Sequence, residues 1–324
     1  RIFIAGHTGM VGSAVGRALI NHNYKNFLTP SRNDLNLIDT YAVENWFKNN
    51  KPDIVILAAA KVGGINANNT YPTDFILDNL KIQINVIENA WKHGTRRLLF
   101  LGSSCIYPKY SKQPITEDQL LSGPLESTNQ WYAIAKISGL KLCNALRIQH
   151  DFDAISLMPT NLYGPKDNYH PSNSHVLPAL IHRFYQAKQK NLATLTCWGS
   201  GSPLREFMHV DDLGEACVFS LENWDPKASK APCDKNGDPL LFLNAGTGVD
   251  ISIKDLTKLI MEATGYEGNI EWDKNKPDGT IRKLLDTSKI QELGWRPKIK
   301  LADGINSTIE NYKEELKSNK LRLN

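Results

Sequence analysis

The sequence has few cysteines, and none of them lie in a metal-binding pattern. Only five occur among 324 residues, and no two have the CxxC spacing. The odd count argues against a complete disulfide framework, and the missing spacing argues against a zinc site. We therefore expect no metal and a reducing compartment, namely the cytoplasm.

Long hydrophobic runs and an excess of one charge are also missing. No apolar stretch reaches the roughly 18–20 residues of a membrane span, and the first residues read as a strand rather than as a signal peptide. The 38 basic residues nearly balance the 34 acidic ones, and no basic run occurs. Neither a membrane nor a nucleic acid is therefore an expected partner. The apolar fraction of 41% is ordinary for a globular protein with a sizeable core.

The first half of the chain alternates short apolar runs with longer amphipathic segments. The strand-like runs lie at residues 1–5, 25–29, 53–58, 97–102 and 153–157. The helix-like segments lie at residues 10–21, 40–50, 74–93 and 129–150. Strands separated by helices of this length predict right-handed βαβ units and a parallel sheet covered on both faces. The expected fold class is α/β, with a doubly wound Rossmann-type sheet.

This regular alternation ends after Pro159. Loop-forming residues crowd positions 164–174, and the next helix is predicted at 176–188. A helix at 210–221 and a strand at 242–244 could return to the first sheet, and Ser252 is a predicted helix cap. We expect a nucleotide-binding domain over residues 1–165, with segments near 209–247 returning to it. Residues 166–208 and 248–324 would form a smaller α/β substrate-binding lobe.

A glycine-rich loop joins the first predicted strand to the first predicted helix. Gly6 permits a tight turn, Gly9 lets the backbone approach a pyrophosphate, and Gly12 permits close packing of helix on sheet. The helix N-terminus then offers free N–H groups to the anion. This context predicts a dinucleotide site, for which the candidate residues are Gly6, Thr8, Gly9, Met10, Val11 and Gly12.

The end of the second strand indicates which dinucleotide binds. An NAD site usually has an acidic residue about 20 positions after the loop. Arg32 follows Gly12 by 20 positions, and no acid occurs between residues 28 and 33. A guanidinium binds a phosphate well, so NADP(H) is favoured. Asp34 keeps the alternative open, because a small shift of this loop could present its carboxylate instead.

A tyrosine and a lysine four positions apart form a candidate acid–base pair. Tyr132 and Lys136 share one face of a predicted helix. An ammonium nearby would lower the pKa of the tyrosine and let it transfer protons near neutral pH. Ser103 and Cys105 end the preceding strand, at the sheet edge where such folds bind ligands. In an extended chain their side chains would point the same way. The serine could then donate a hydrogen bond to a carbonyl oxygen, and the cysteine could act as a base.

Seven blocks together resemble the GDP-L-fucose synthases, a family of extended short-chain dehydrogenases/reductases. They are GHTGMVG at 6–12, AKVGG at 60–64, GSSCIYP at 102–108, YAIAK at 132–136, MPTNLYGP at 158–165, HPSNSHV at 170–176 and REFMHVDD at 205–212. The likeness runs from Arg1 to about Tyr312, and the blocks SSCIYP and HPSNSHV are specific to this family within the superfamily.

The resemblance implies an NADPH-dependent 3,5-epimerase and 4-reductase that acts on GDP-4-dehydro-6-deoxy-D-mannose. The 4-ketone acidifies the protons on C3 and C5, so one base and one acid on opposite sides of the ring can invert both centres. By analogy, Cys105 would take a proton and His175 would return one. Ser103 and Tyr132 would hold the developing oxyanion, and Lys136 would tune Tyr132 and bind the nicotinamide ribose.

The resemblance also implies binding residues and a partner. The substrate contacts would be Arg183, Trp198, Arg205 and Asp278. The further cofactor contacts would be Leu101, Gly102, Pro159, Asn161 and Leu162, together with Ser103, Tyr132, Lys136 and His175. A homodimer through the predicted helices 74–93 and 129–150 is expected. Thr8 departs from the arginine that bacterial members often carry, and the polar loop at 225–239 looks longer than theirs.

Two alternative functions remain open at this point. Another nucleotide-sugar epimerase or 4-reductase of the same superfamily would not need both Cys105 and His175, and a 4-epimerase that retains NAD would favour an acid near position 32. A non-catalytic NADP sensor would have no need of an acid–base pair, so Ser103, Tyr132 and Lys136 argue against it.

Overall fold

The computed structural model describes residues 1–276 and 278–323. Its strands are β1 (Ile2–Ala5), β2 (Phe27–Leu28), β3 (Ile54–Leu57), β4 (Arg97–Leu101), β5 (Ala154–Pro159), β6 (Asn161–Tyr163), β7 (Thr194–Trp198), β8 (Leu204–His209), β9 (Phe242–Ala245), β10 (Asp250–Ser252), β11 (Asn269–Asp273) and β12 (Arg282–Lys283). Its helices are α1 (Met10–Asn21), α2 (Thr40–Asn50), α3 (Ile65–Thr70), α4 (Pro72–Lys92), α5 (Gln130–His150), α6 (Val176–Gln189), α7 (Val210–Asn223), α8 (Ile253–Thr264), α9 (Ser288–Glu292) and α10 (Leu301–Lys317).

The main sheet is parallel and has the strand order β2-β1-β3-β4-β5-β9. The chain leaves β1 towards β2 and later returns to the other side of β1 with β3. The loop after β1 therefore lies at the point where the strand order reverses. In open α/β sheets, ligands bind at this point, outside the carboxyl ends of the strands.

Helices cover both faces of this sheet. Successive residues of a strand point to opposite faces, so Phe3 packs with Phe47 of α2 on one side, and Ile4 packs with Val15 of α1 on the other. The first face also carries α4 and α5, and the second carries α7. Burial of these apolar side chains supplies the main driving force for the layered arrangement.

The remaining elements form a second group around a separate apolar core. Strands β10, β8 and β12 form one sheet, to which β6 adds by pairing with β8, while β11 pairs with β7. Phe184 of α6, Ile260 of α8 and Tyr312 of α10 meet in the core beside these strands. Strand β9 pairs with β5, so the chain returns to the main sheet after the first elements of the second group. The division of the chain into two domains remains a proposal.

The doubly wound parallel sheet that the sequence predicts is confirmed. Helices α1 and α2 have the predicted bounds, and α5 begins one residue later than predicted. The predicted cap at Ser252 is also confirmed, because its hydroxyl accepts a hydrogen bond from the Asp255 amide at 3.0 Å. Within the described residues, no helix combines the length and the apolar character needed to cross a membrane.

Candidate active site

One large cavity opens at the carboxyl ends of the main sheet and extends towards the second group of strands. Its volume is about 1760 Å³. All the residues predicted for the site line it: Gly6, Thr8, Gly9, Met10, Val11, Gly12, Arg32, Leu101, Gly102, Ser103, Cys105, Tyr132, Lys136, Pro159, Asn161, Leu162, His175, Arg183, Trp198, Arg205 and Asp278. The fold thus brings together residues that are far apart in sequence, while their individual roles remain predictions.

The glycine-rich loop has the close backbone contacts that a phosphate-binding turn needs. Gly6 has a positive φ of 89°, and its carbonyl accepts a hydrogen bond from the Gly9 amide at 3.0 Å. A Cβ on Gly12 would lie 2.1 Å from that same carbonyl oxygen. Helix α1 has no capping side chain and no acid in its first turn. Its N–H groups and positive dipole end are therefore available to an anion in the cavity.

We predict that Gly12→Ala lowers NADPH affinity at least about tenfold, because overpacking of this kind costs about 1–3 kcal/mol and must displace the loop. Fluorescence titration of the coenzyme gives the affinity. Gly16→Ala in the same helix is the matched control, because its new Cβ would come no closer than 4.0 Å to another group. Equal coenzyme affinity in the two variants would contradict the proposed loop contact.

Arg32 and Asp34, the two candidates for the ribose end of the coenzyme, have different surroundings. The Asp34 carboxylate turns back onto Ser31, accepting hydrogen bonds from its amide at 3.0 Å and its hydroxyl at 2.7 Å. These bonds lower the pKa of Asp34. Arg32 lines the cavity. The residues present therefore fit a dinucleotide whose ribose carries a 2′-phosphate better than one with a free 2′-hydroxyl.

Tyr132 and Lys136 lie one turn apart on α5. The Lys136 ammonium donates a hydrogen bond to the Leu101 carbonyl at 2.8 Å and lies 5.9 Å from the centroid of the Tyr132 ring. Burial lowers the pKa of Lys136 to about 7. Burial also raises the pKa of Tyr132, the nearby Cys105 adds to this, and a hydrogen bond with Ser103 opposes it.

The expectation that Lys136 lowers the pKa of Tyr132 is therefore wrong for this structure. Desolvation by the surrounding protein raises the pKa of this half-buried phenol, and the lysine directs its hydrogen bond to a carbonyl instead. A phenol with a raised pKa keeps its proton at neutral pH. Tyr132 is accordingly placed to donate a proton or a hydrogen bond rather than to accept a proton.

The backbone around Ser103 and Cys105 also differs from expectation. The segment is not extended, because a short 3-10 turn runs over Ser104–Ile106. The Ser103 hydroxyl caps this turn by accepting a hydrogen bond from the Cys105 amide at 3.2 Å. Both residues are nevertheless close enough to Tyr132 to change its pKa. The turn therefore groups the three side chains, although not by the strand geometry that the sequence predicted.

Two further residues contact the Cys105 sulfur, and sequence reasoning missed both. The Asn129 side-chain amide donates to Sγ at 3.4 Å, and the Lys283 ammonium donates to it at 3.5 Å. Asn129 precedes α5, and Lys283 belongs to β12. Neither residue stands in a recognisable motif, so only the fold could reveal that they meet the thiol.

His175 caps α6, and its imidazole lies open to the cavity. Crowding by surrounding protein atoms lowers its pKa, and the positive charge of Lys283 lowers it further. The loop before it is held by Gly64, whose amide donates to the Asn173 carbonyl at 2.8 Å. A Cβ on Gly64 would lie 2.4 Å from the Ser174 carbonyl oxygen, so a glycine is needed for this close approach.

The residues predicted to bind the nucleotide sugar line the part of the cavity that α6, β7 and β8 supply. Arg183 donates to the Thr196 carbonyl, and Arg205 donates to the Leu204 carbonyl at 2.8 Å. Trp198 is 58% exposed, and the Lys276 ammonium lies over its ring, 5.3 Å from the centroid. Asp278 accepts hydrogen bonds from the Ser200 amide and hydroxyl at 2.7 and 2.8 Å, so its carboxylate braces this turn.

Three predicted cofactor contacts lie at the end of β5 and just after it, and two of them, Asn161 and Leu162, are expected to touch the nicotinamide end. Pro159 ends this strand, and Leu162 in β6 pairs with Met208. The Asn161 side-chain amide donates to the Glu206 carbonyl at 2.8 Å and thus ties the loop to β8. Among residues 1–276 and 278–323, no group of three or more His, Cys, Asp or Glu side chains could hold a metal ion.

The glycine loop lies where the strand order reverses. Ser103 follows the carboxyl end of β4, and Tyr132 and Lys136 lie in the first turns of α5. Together these features define a dinucleotide-dependent enzyme of the short-chain dehydrogenase/reductase type. Comparison with known proteins agrees with this class. The chain belongs to the NAD dependent epimerase/dehydratase family, which it matches over residues 2–231.

Three relatives illustrate how far the similarity extends. The chain is 54% identical over 316 residues to the putative GDP-L-fucose synthase 2 of Arabidopsis thaliana, covering 98% of this chain and 92% of that protein. It is 49% identical over 314 residues to the GDP-L-fucose synthase of Escherichia coli (strain K12), covering 97% of each. The solved structure of the GDP-mannoheptose C4 reductase from Campylobacter jejuni with NADP bound has a TM-score of 0.86 at 35% identity, covering 96% of this chain and 98% of that one.

Proposed function

We propose that this chain is an NADPH-dependent 3,5-epimerase and 4-reductase that converts GDP-4-dehydro-6-deoxy-D-mannose to GDP-L-fucose. The observation that carries the proposal is that Cys105, Tyr132 and His175 line the same cavity, in which Lys283 also contacts the Cys105 sulfur. A simple 4-reductase needs a proton donor such as Tyr132, but it has no use for a second acid–base pair such as Cys105 and His175. Relatives named as GDP-L-fucose synthases support the same conclusion.

The chemistry follows from the ketone at C4 of the sugar. This carbonyl acidifies the protons on both neighbouring carbons, C3 and C5. At each centre in turn, Cys105 removes the proton and His175 delivers a proton to the opposite face, so the configuration inverts. Exchange with solvent removes the proton from Cys105 and reprotonates His175 before the second centre reacts. Ser103 and Tyr132 donate hydrogen bonds to O4 while negative charge develops there.

The reduction uses the same carbonyl a second time. NADPH, when bound, supplies a hydride to C4. Tyr132 then gives its proton to the alkoxide formed at O4, because its raised pKa keeps the phenol protonated until that strong base appears. The free N–H groups of α1 bind the pyrophosphate, Arg32 binds the 2′-phosphate, and Lys136 binds the nicotinamide ribose. Asn161 and Leu162 would contact the nicotinamide end of the coenzyme, and Leu101, Gly102 and Pro159 would contribute further coenzyme contacts.

The GDP-sugar would occupy the other end of the cavity. Arg183 and Arg205 suit the diphosphate, because a guanidinium donates two parallel hydrogen bonds to such a group. Trp198 offers an exposed aromatic face, and Asp278 completes the predicted set of contacts. We assign this end of the cavity to a smaller substrate-binding lobe built from residues 166–208 and 248–324.

Product analysis tests this function. The protein is incubated with GDP-mannose, a GDP-mannose dehydratase and NADPH, and the sugar product is identified by NMR. We expect GDP-L-fucose and equimolar oxidation of NADPH. A 4-reduced product with unchanged C3 and C5 would identify a plain reductase, and coenzyme binding without turnover would identify a sensor.

We predict that Arg32→Ala weakens NADPH binding by about 10–100-fold, because a charged hydrogen-bonded pair contributes about 1.5–3 kcal/mol. Binding of NADH should change less than about threefold, since it has no 2′-phosphate. Isothermal titration with both coenzymes measures the difference. Asp34→Ala serves as a control that should leave both affinities nearly unchanged. Equal losses for the two coenzymes in Arg32→Ala would contradict the assignment.

We also propose a homodimer and a cytoplasmic location. Helices α4 and α5 pack side by side, and both expose apolar side chains that a second copy could cover: Leu77, Ile84, Trp131 and Ile134. The five free cysteines suit a reducing compartment. Light scattering should give twice the chain mass of 36.3 kDa; the mass of a single chain would contradict the dimer.

A further inference from the structure

We infer that Lys283 is a positioning residue for the epimerisation half of the reaction, acting on the Cys105 sulfur. This inference rests on the proposed function. It adds to the pair Cys105 and His175 a third group, supplied by a separate strand more than 170 positions from the thiol in sequence.

The contact between Lys283 and the thiol is direct. Its ammonium nitrogen lies 3.5 Å from Cys105 Sγ, and Asn129 donates to the same sulfur at 3.4 Å. The sulfur thus accepts hydrogen bonds from one charged donor and one neutral donor. Both fix the direction of the side chain, and the charged donor also stabilises negative charge on sulfur.

Lys283 is held by backbone contacts that do not depend on its own side chain. In the pairing of β12 with β8, Lys283 lies opposite Arg205. Next along the chain, the Leu284 amide donates to the Gln113 side-chain oxygen at 2.8 Å, and the Leu284 carbonyl accepts from the Ile115 amide at 2.8 Å. The strand is therefore fixed on both sides, and removal of the ammonium should leave it in place.

A buried carboxylate also holds the chain just after this strand. Glu206 is fully buried, and its Oε2 accepts a hydrogen bond from the Leu285 amide at 3.0 Å. Its Oε1 accepts from the amides of Thr247 and Gly248 at 2.6 and 2.8 Å. One side chain of β8 thus connects three segments and fixes the position from which Lys283 reaches the thiol.

The position of this ammonium suits both proton transfers. Close to Cys105, it stabilises the thiolate, which is the form that can take a proton from carbon. The surrounding protein atoms lower the pKa of His175, and the positive charge of Lys283 lowers it further, so a protonated imidazole gives its proton to the enolate more readily. When Cys105 takes a proton from C3 or C5, the sulfur becomes a neutral thiol and the electron pair of the C–H bond moves onto the enolate oxygen.

The first arm of the test needs no substrate. In a Cys233→Ser background, Cys105 is the accessible thiol, because Cys143, Cys197 and Cys217 are buried. The rate of alkylation of Cys105 by iodoacetamide at pH 7 is followed by mass spectrometry. Lys283→Gln should slow alkylation about tenfold, as expected for loss of one charged hydrogen bond. Lys283→Arg, which keeps the charge, should stay within about threefold of the parent.

The neighbouring residue on the same strand provides a matched control. Arg282 points to the other face of β12, where its guanidinium pairs with Asp250. Arg282→Gln also removes one positive charge, but it should leave the alkylation rate unchanged. Lys283→Met repeats the comparison if the glutamine variant does not fold. An unchanged rate in Lys283→Gln, or an equal loss in Arg282→Gln, would overturn the inference.

The second arm uses the ketosugar and measures deuterium uptake at C3 and C5 in heavy water. Lys283→Gln should lower the uptake rate at saturating substrate at least about tenfold, while the KM changes little. If Lys283 only bound the diphosphate, Lys283→Gln would raise the KM and leave the alkylation rate unchanged. That result would contradict a role at the sulfur. If the protein did not accept this ketosugar at all, the proposed function would fail, whereas the alkylation result would still test the contact.

Discussion

Replacing Cys105 with serine is expected to abolish exchange of the C3 and C5 protons of the ketosugar. A serine hydroxyl is almost never ionised near neutral pH, so it cannot replace a thiolate as the base. Positioned acid–base groups contribute about 10²–10⁴-fold, and we expect the exchange rate to fall by about that factor. Direct reduction at C4 should persist in part, because Tyr132 and the coenzyme-binding loop are unchanged. Proton NMR in heavy water follows the exchange, and NADPH oxidation follows the reduction.

Cys233→Ser is the matched control for this experiment. Cys233 is also a half-buried free cysteine, and its thiol donates a hydrogen bond to the Ala231 carbonyl at 3.3 Å within its own loop. The Cys233→Ser protein should exchange the C3 and C5 protons of the ketosugar at the rate of the parent protein. Undiminished exchange in Cys105→Ser would show that another group is the base, and His175 would then be the first candidate to examine.

Replacing Tyr132 with phenylalanine is expected to have a comparably large effect on the reduction. The substitution removes the proton that O4 needs as hydride arrives at C4, and we expect the rate to fall by about 10²–10⁴-fold. Proton exchange should fall less, because Ser103 remains as a hydrogen-bond donor to O4. The two rates are measured separately by single-turnover NADPH oxidation and by deuterium uptake.

Tyr110→Phe provides the control for loss of a phenol. Tyr110 is 79% exposed and lies beside Lys109, so its hydroxyl should be dispensable to both steps. Wild-type reduction by Tyr132→Phe would contradict the assigned proton donor. Equal losses of exchange and reduction would instead show that Tyr132 mainly holds the substrate in place.

The main sheet could be predicted from sequence because its signals are local. Each strand is a short apolar run, and each helix repeats apolar residues on one face, so α1 and α2 have the predicted bounds. The second group of strands lacks such signals. Strands β6, β10 and β12 have only two or three residues and are stabilised by pairing with β8 rather than by their own pattern.

The candidate site was predictable where motifs identify it and unpredictable where the fold assembles it. The glycine loop and the Tyr132–Lys136 pair have fixed spacings, and both line the cavity. Lys283 meets Cys105 across 178 positions of sequence, and no local pattern marks it. The direction of the Tyr132 pKa was wrong for a related reason, because spacing reveals a neighbouring lysine but not the depth of burial.

The distribution of isotopes in the product tests the central claim most directly, namely that one cavity uses the 4-ketone for both epimerisation and reduction. The full reaction is run in heavy water with protiated NADPH, and the product is examined by NMR. We predict GDP-L-fucose with deuterium at C3 and C5 and protium at C4. A reduced GDP-sugar that keeps protium at C3 and C5 would contradict this account.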